Sequence, residues 1–180
     1  MSSNLITPVF VASFVHLNKP QAAAPDAPEK YSLAVVLRQD NKEHMAFLDI
    51  LRKECNKVAK ENFGGKIPKK LRLPFRDGDE EDRPEWEGCI TFNASASVDY
   101  RPGMVDKELQ PIIDPGELYS GMHCRVSLRP YAWSHQTGGK GVSLGLGNVQ
   151  KIADGESLGG GGVKPETEFD AWDDDADNPF

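Results

Sequence analysis

The stretch "MHCRVSLRPYAW" sets guanidinium groups and flat rings in alternation with apolar residues. As a β-strand it turns Met122, Cys124, Val126, Leu128, Pro130 and Ala132 to one face. His123, Arg125, Ser127, Arg129, Tyr131 and Trp133 go to the other, because side chains alternate with period two. A core face backed by a basic, aromatic one suits single-stranded nucleic acid: rings stack on unpaired bases while Arg and Lys neutralise phosphates. His135 and Lys140 in the adjoining turn "HQTGGKG" extend the track. Tyr100 and Arg101 repeat the pairing of ring and cation, after a strand whose outward residues Thr91, Asn93, Ser95 and Ser97 are small and polar. The candidate binding residues are therefore Tyr100, Arg101, Arg125, Arg129, Tyr131, Trp133, His135 and Lys140, supported by Lys69, Lys70, Arg72 and Arg76 from a basic connecting segment. An ordinary solvated strand face, with Tyr131 and Trp133 covering a corner of the core, accounts for the same pattern. Pro130 cannot donate to a ladder and marks an edge or bulge, so the alternation is least secure beyond it.

Catalytic chemistry has weaker support. Asp77, Asp79, Glu80 and Asp82, with Asp99 and Asp106 elsewhere, would hold Mg2+ for phosphodiester cleavage only if rigid elements converged them. The first four sit in a connecting segment, so a metal-dependent nuclease or resolvase stands as the alternative. His16, His44, His123 and His135 pair with no cysteine at zinc spacing, and "GGKGVS" lacks the full phosphate-loop pattern. The expectation is a binding protein, not an enzyme, with no metal and no cofactor.

The 180 residues suffice for one domain and a tail. Seven of the 28 acids lie between Pro165 and Phe180 with no base among them, so residues 1–164 hold 21 acids against all 21 bases. The body is neutral, and the tail carries the whole excess of −7. A negative total therefore does not exclude a polyanionic partner. Cys55, Cys89 and Cys124 are odd in number, widely spaced and without a C-x-x-C pair, as in buried, reduced thiols. The N-terminal "MSSNLITPVFVASFVHL" lacks a basic n-region and is broken by Thr7, Ser13 and His16, so neither a signal peptide nor a membrane span is expected. A cytoplasmic protein follows.

These residues need elements to hold them. Residues 6–17 and 31–37 read as strands joined by the Pro/Ala loop "KPQAAAPDAPEK". Met45, Leu48, Leu51, Cys55, Val58, Ala59 and Phe63 then recur at helical spacing, with Asp40 and Glu43 as a capping box and Gly64–Gly65 as the stop. Strands return at "CITFNASASVDY", "MHCRVSLRPYAW" and "VSLGLGNVQKI", giving a mostly-β or α+β domain. Residues 1–158 form that domain. Residues 159–180 form a glycine-rich joint and an acidic tail too poor in apolar residues to fold.

The ending "DDDADNPF" resembles the acidic tip of bacterial and phage single-stranded-DNA-binding proteins. The runs "ITPVFVASFVHL", "KYSLAVVL", "ASVDYRPGMVD", "ELYSGMHCRVSL", "GVSLGLGNVQKIADGESLGG" and "ETEFD" look like a phage-encoded family of such proteins, and the resemblance covers nearly the whole chain. It implies a five-stranded OB-fold barrel elaborated by one helix. It also implies binding of displaced single strands in phage DNA replication or recombination, in the host cytoplasm. Strand annealing would use the same surface. The tail residues Asp173, Asp174, Asp175, Asp177, Pro179 and Phe180 suggest two roles: competing with DNA for the groove, and hooking a polymerase, helicase or nuclease. Monomer and dimer both remain open.

Overall fold

The β-branched runs form strands that close on themselves. In the computed structural model, which describes residues 4–158 with Phe169 and Ala171, the first apolar run supplies β1 (Leu5–Ile6), β2 (Phe10–Val11) and β3 (Ser13–Ala22). Then come β4 (Glu29–Arg38), α1 (Lys42–Asn62), β5 (Arg76–Asp77), β6 (Cys89–Ser97), β7 (Met104–Val105), β8 (His123–His135) and β9 (Gly139–Ala153). Among the described residues five strands are long, β3, β4, β6, β8 and β9; the other four have two residues each.

The sheet runs in the order β1-β8-β9-β6-β4-β3, with β2 also on β8. Its two ends belong to one stretch of chain: β1 and β2 pair with β8, whereas β3 pairs with β4. That stretch closes the sheet into a barrel, turning its corner at Phe14 with φ 47. Pairing is antiparallel except where β9 meets β6 and β7. A mostly-β barrel of five long strands with one α-helix is the OB-type architecture expected.

Alternation decides what enters the barrel. Leu33, Val35 and Leu37 of β4, Phe92 and Ala94 of β6, Cys124, Val126 and Leu128 of β8, and Val142 and Leu144 of β9 form one buried cluster. α1 adds Phe47, Leu48, Leu51, Cys55 and Ala59, so its apolar stripe is core packing. All three cysteines are buried and outside any disulfide. Burial pushes the thiols of Cys55 and Cys124 up to about 12, and that of Cys89 upward too. Among the described residues no helix is long and apolar enough to cross a membrane.

Two local readings change. The helix cap is Asn41 rather than Asp40: the Asn41 side chain accepts from the His44 N–H at 3.1 Å. Asp40 instead takes both Nε and Nη2 of Arg38 at 3.0 Å, a bidentate pair that outcompetes a single cap bond. The connection expected over Lys19 to Lys30 shrinks to residues 23–28, because β3 continues through Ala22 and β4 starts at Glu29. Pro20 is tolerated because the β3–β4 register shifts between His16 and Gln21. The glycine stop holds: Gly64 and Gly65 have φ 74 and 82, and the Gly65 N–H donates to the Lys60 carbonyl.

Candidate nucleic-acid interface

The outward residues of β8 lie in register with small residues of β9. Arg129 faces Gly145, Tyr131 faces Ser143, Trp133 faces Gly141 and His135 faces Gly139. A Cβ on Gly141 would fall 2.3 Å from the Trp133 ring, so the absent side chain is what lets that indole lie across β9. Trp133 and His135 stack with centroids 5.1 Å apart at a 38° tilt. Pro130 is buried between the exposed Arg129 and Tyr131, but burial stops alternating after them: Ala132 and Trp133 are both half-buried, and Ser134 and His135 are both exposed.

The register carries this face further round the barrel. Arg129 pairs with Gly145, Gly145 with Ser95, Ser95 with Ser32, and Ser32 with His16. One row thus crosses β8, β9, β6, β4 and β3, with its three central residues all small. From Arg129 to Ser32 is three strand spacings, about 14 Å. At the β4–β6 end the row opens into a groove of about 600 Å3. Its floor holds Ser32, Asn93 and Ser95, and Lys30, Arg76 and His16 stand around it. None of the lining residues is acidic. Thr91, expected on the open part of this face, is covered: β5 pairs Arg76 with it, and it is 2% exposed.

Other predicted residues arrive by different routes. The segment carrying Lys69, Lys70 and Arg72 folds back on β9, where the Arg72 N–H donates to the Lys140 carbonyl and the Arg72 carbonyl accepts from Val142. That docking places Arg72 beside Gly141 and Trp133. The Lys140 ammonium sits 5.2 Å from the Phe63 ring. Tyr100, 79% exposed, and Arg101 follow the far end of β6, with the Arg101 guanidinium 5.9 Å over Tyr31. Arg125 stands apart towards the start of β8, where it donates to Gln150 at 2.6 Å. The tail residues Asp173, Asp174, Asp175, Asp177, Pro179 and Phe180 lie outside the described residues.

Sequence reasoning missed the other wall of the groove. Phe14 and Trp86 line it, packed edge to face at 5.6 Å, and behind them the Arg83 guanidinium lies 4.2 Å over Phe14. Trp86 is buried with Ala34, Val36 and Cys89 in a small cluster outside the barrel, and its Nε1–H donates to Ser13 Oγ. Two acids of the neighbouring segment serve the backbone. Asp77 accepts from the Asp79 N–H, and Asp79 accepts from the Gly88 N–H at 2.8 Å. Among the described residues no group of His, Cys, Asp or Glu is placed to hold a metal ion.

Residues 3–179 match the sequence profile of a family described as the Enterobacter phage Enc34 ssDNA-binding protein. The fold is similar to the single-stranded DNA-binding protein of bacteriophage Enc34 solved in complex with ssDNA. The TM-score is 0.75 at 26% identity, over 87% of this chain and 89% of that one. The single-stranded DNA-binding protein encoded by bacteriophage T7 shares the fold at TM-score 0.63 and 17% identity, over 89% and 91% of the two chains. Protein p50 of Acyrthosiphon pisum secondary endosymbiont phage 1 is 34% identical over 100 residues, 55% of this chain. That match spans about half, 52%, of the relative's length.

Proposed function

Because the chain belongs to the family of the Enterobacter phage Enc34 ssDNA-binding protein, we propose that it binds single-stranded DNA without sequence preference and without catalysis, in phage DNA replication or recombination in the host cytoplasm. The observation that carries this reading is the small-residue row from Arg129 to His16, flanked by rings and cations and opening into a groove without acids. Small side chains let a nucleic-acid backbone approach the sheet. Arg72, Arg76, Lys30 and Arg129 neutralise its phosphates, and Tyr131 and Trp133 stack on its bases. Stacking uses the face of a base and not its hydrogen-bonding edge, so it reads little sequence. The acidic tail of residues 159–180 competes with DNA for this surface and recruits a replication protein when DNA displaces it.

Fluorescence anisotropy of a labelled oligothymidine, titrated against duplex DNA as competitor, tests the reading. Tight binding that duplex fails to displace is expected. Equal competition by duplex, or no binding at low salt, would refute it.

A further inference from the structure

The corner of the barrel is turned by a bulky aromatic residue where glycine would be the easier choice. Phe14 has φ 47, a conformation that bulky L-residues rarely adopt and that glycine adopts freely. The residue is 41% exposed, so the strained backbone does not deliver it to the core. Instead the ring stands on the rim of the groove, braced edge to face by the buried Trp86. Strain retained at a surface aromatic residue, where a small residue would relieve it, is a mark of function.

The face of that ring is already in use. The Arg83 guanidinium covers it at 4.2 Å while pairing with Glu85 at 3.5 Å, and the Arg83 side chain is 43% exposed. A guanidinium and a nucleobase are both planar and both stack on aromatic faces, so each fits where the other lies. Below the ring the floor offers Ser32, Asn93 and Ser95, with Lys30 and Arg76 as phosphate partners.

We propose that Phe14 is a nucleobase-stacking residue, and that Arg83 occupies the stacking position until an unpaired base replaces it and frees the guanidinium to pair with a phosphate. The inference rests on the single-strand reading and adds a subsite to it on β3, across the face from Trp133. Oligothymidine carrying one 5-iododeoxyuridine, photo-cross-linked to the full chain and mapped by mass spectrometry, provides the test. An adduct on Phe14 or Trp86 is expected. Phe14→Gly should bind about 5- to 140-fold more weakly, the range of one lost stack, while melting no lower than the parent because glycine relaxes the corner. A folded Phe14→Gly with unchanged affinity, and adducts confined to Tyr131 and Trp133, would overturn the inference while leaving single-strand binding intact. Absence of any binding by the parent chain would overturn both. The cross-link is read on the parent chain, so a variant that failed to fold would not decide the matter.

Discussion

Trp133 shows what one residue contributes to this surface. Its ring lies over Gly141, stacked on His135, and Tyr131 stands two residues away on the same face. If a base stacks there, Trp133→Ala weakens oligothymidine binding by about 1 to 3 kcal/mol. Unchanged affinity in a folded variant would remove Trp133 from the DNA path. Arg129→Ala should lower affinity and make the logarithmic salt slope shallower by about 0.7, the share of one phosphate contact on a single strand. An unaltered slope would place Arg129 off the backbone. The outward placement of Arg129 and Tyr131 was legible in the sequence because period-two alternation holds through them on β8, whereas that of Trp133 follows from its register with Gly141. Phe14 was not, because in "FVASFVHL" it shares the parity of Phe10 and Ala12, which are buried. The positive φ at the barrel corner breaks that parity, and no local propensity announces it.

Elements were legible wherever period and punctuation agreed, as for α1 with its glycine stop and for the β8–β9 hairpin. What the sequence could not show is how distant segments lock together. Lys151 of β9 is one such lock: its side chain is 7% exposed and donates to Asp154 at 2.6 Å and to Glu117 in the turn before β8. Tyr119 completes the cluster, donating to Asp154 at 2.7 Å and accepting from the Gly155 N–H. Burial alone would lower the Lys151 pKa, but the hydrogen bonds and charges of Asp154 and Glu117 outweigh it and hold it above the ordinary value of 10.5. A raised folded pKa stabilises fully below the unfolded value and fades as pH climbs through the folded one. Lys151→Met should therefore cost about 1 to 2 kcal/mol near pH 7, at the low end of the range for a charged hydrogen bond because Glu117 and Asp154 are 50% and 76% exposed and re-hydrate. Thermal melts should show the gap between parent and variant narrowing above about pH 10.5. A gap constant from pH 7 to 11 would show that packing, not charge, is what Lys151 supplies.

For the whole molecule the decisive fact is where the charge lies. Residues 1–164 balance 21 bases with 21 acids, and the seven acids after Lys164 make the chain −7. The groove draws only cationic and neutral residues from that balanced body. It therefore has the sign to hold a polyanion, and the proposed competitor for DNA is the chain's own acidic segment. Leu158, which precedes the acidic segment in sequence, lines a hollow of about 310 Å3 that shares Trp86 with the groove. Were residues 159–180 the unfolded chain their composition predicts, a segment of that length would have a root-mean-square span of roughly 25 Å, which corresponds to a local concentration on the order of millimolar. If such competition occurs it is electrostatic, and it would weaken with salt as the Debye length shrinks. A chain ending at Lys164 should therefore bind oligothymidine more tightly than the full chain at about 50 mM salt, with the two affinities converging towards about 0.5 M. Binding is expected to follow the same course when Asp173, Asp174, Asp175 and Asp177 are replaced by Asn with Pro179 and Phe180 kept. If charge replacement left affinity unchanged while truncation raised it, the apolar end of the tail would be the competitor. If neither change altered binding at low salt, the tail would act only on partner proteins, and the groove would be open at all times.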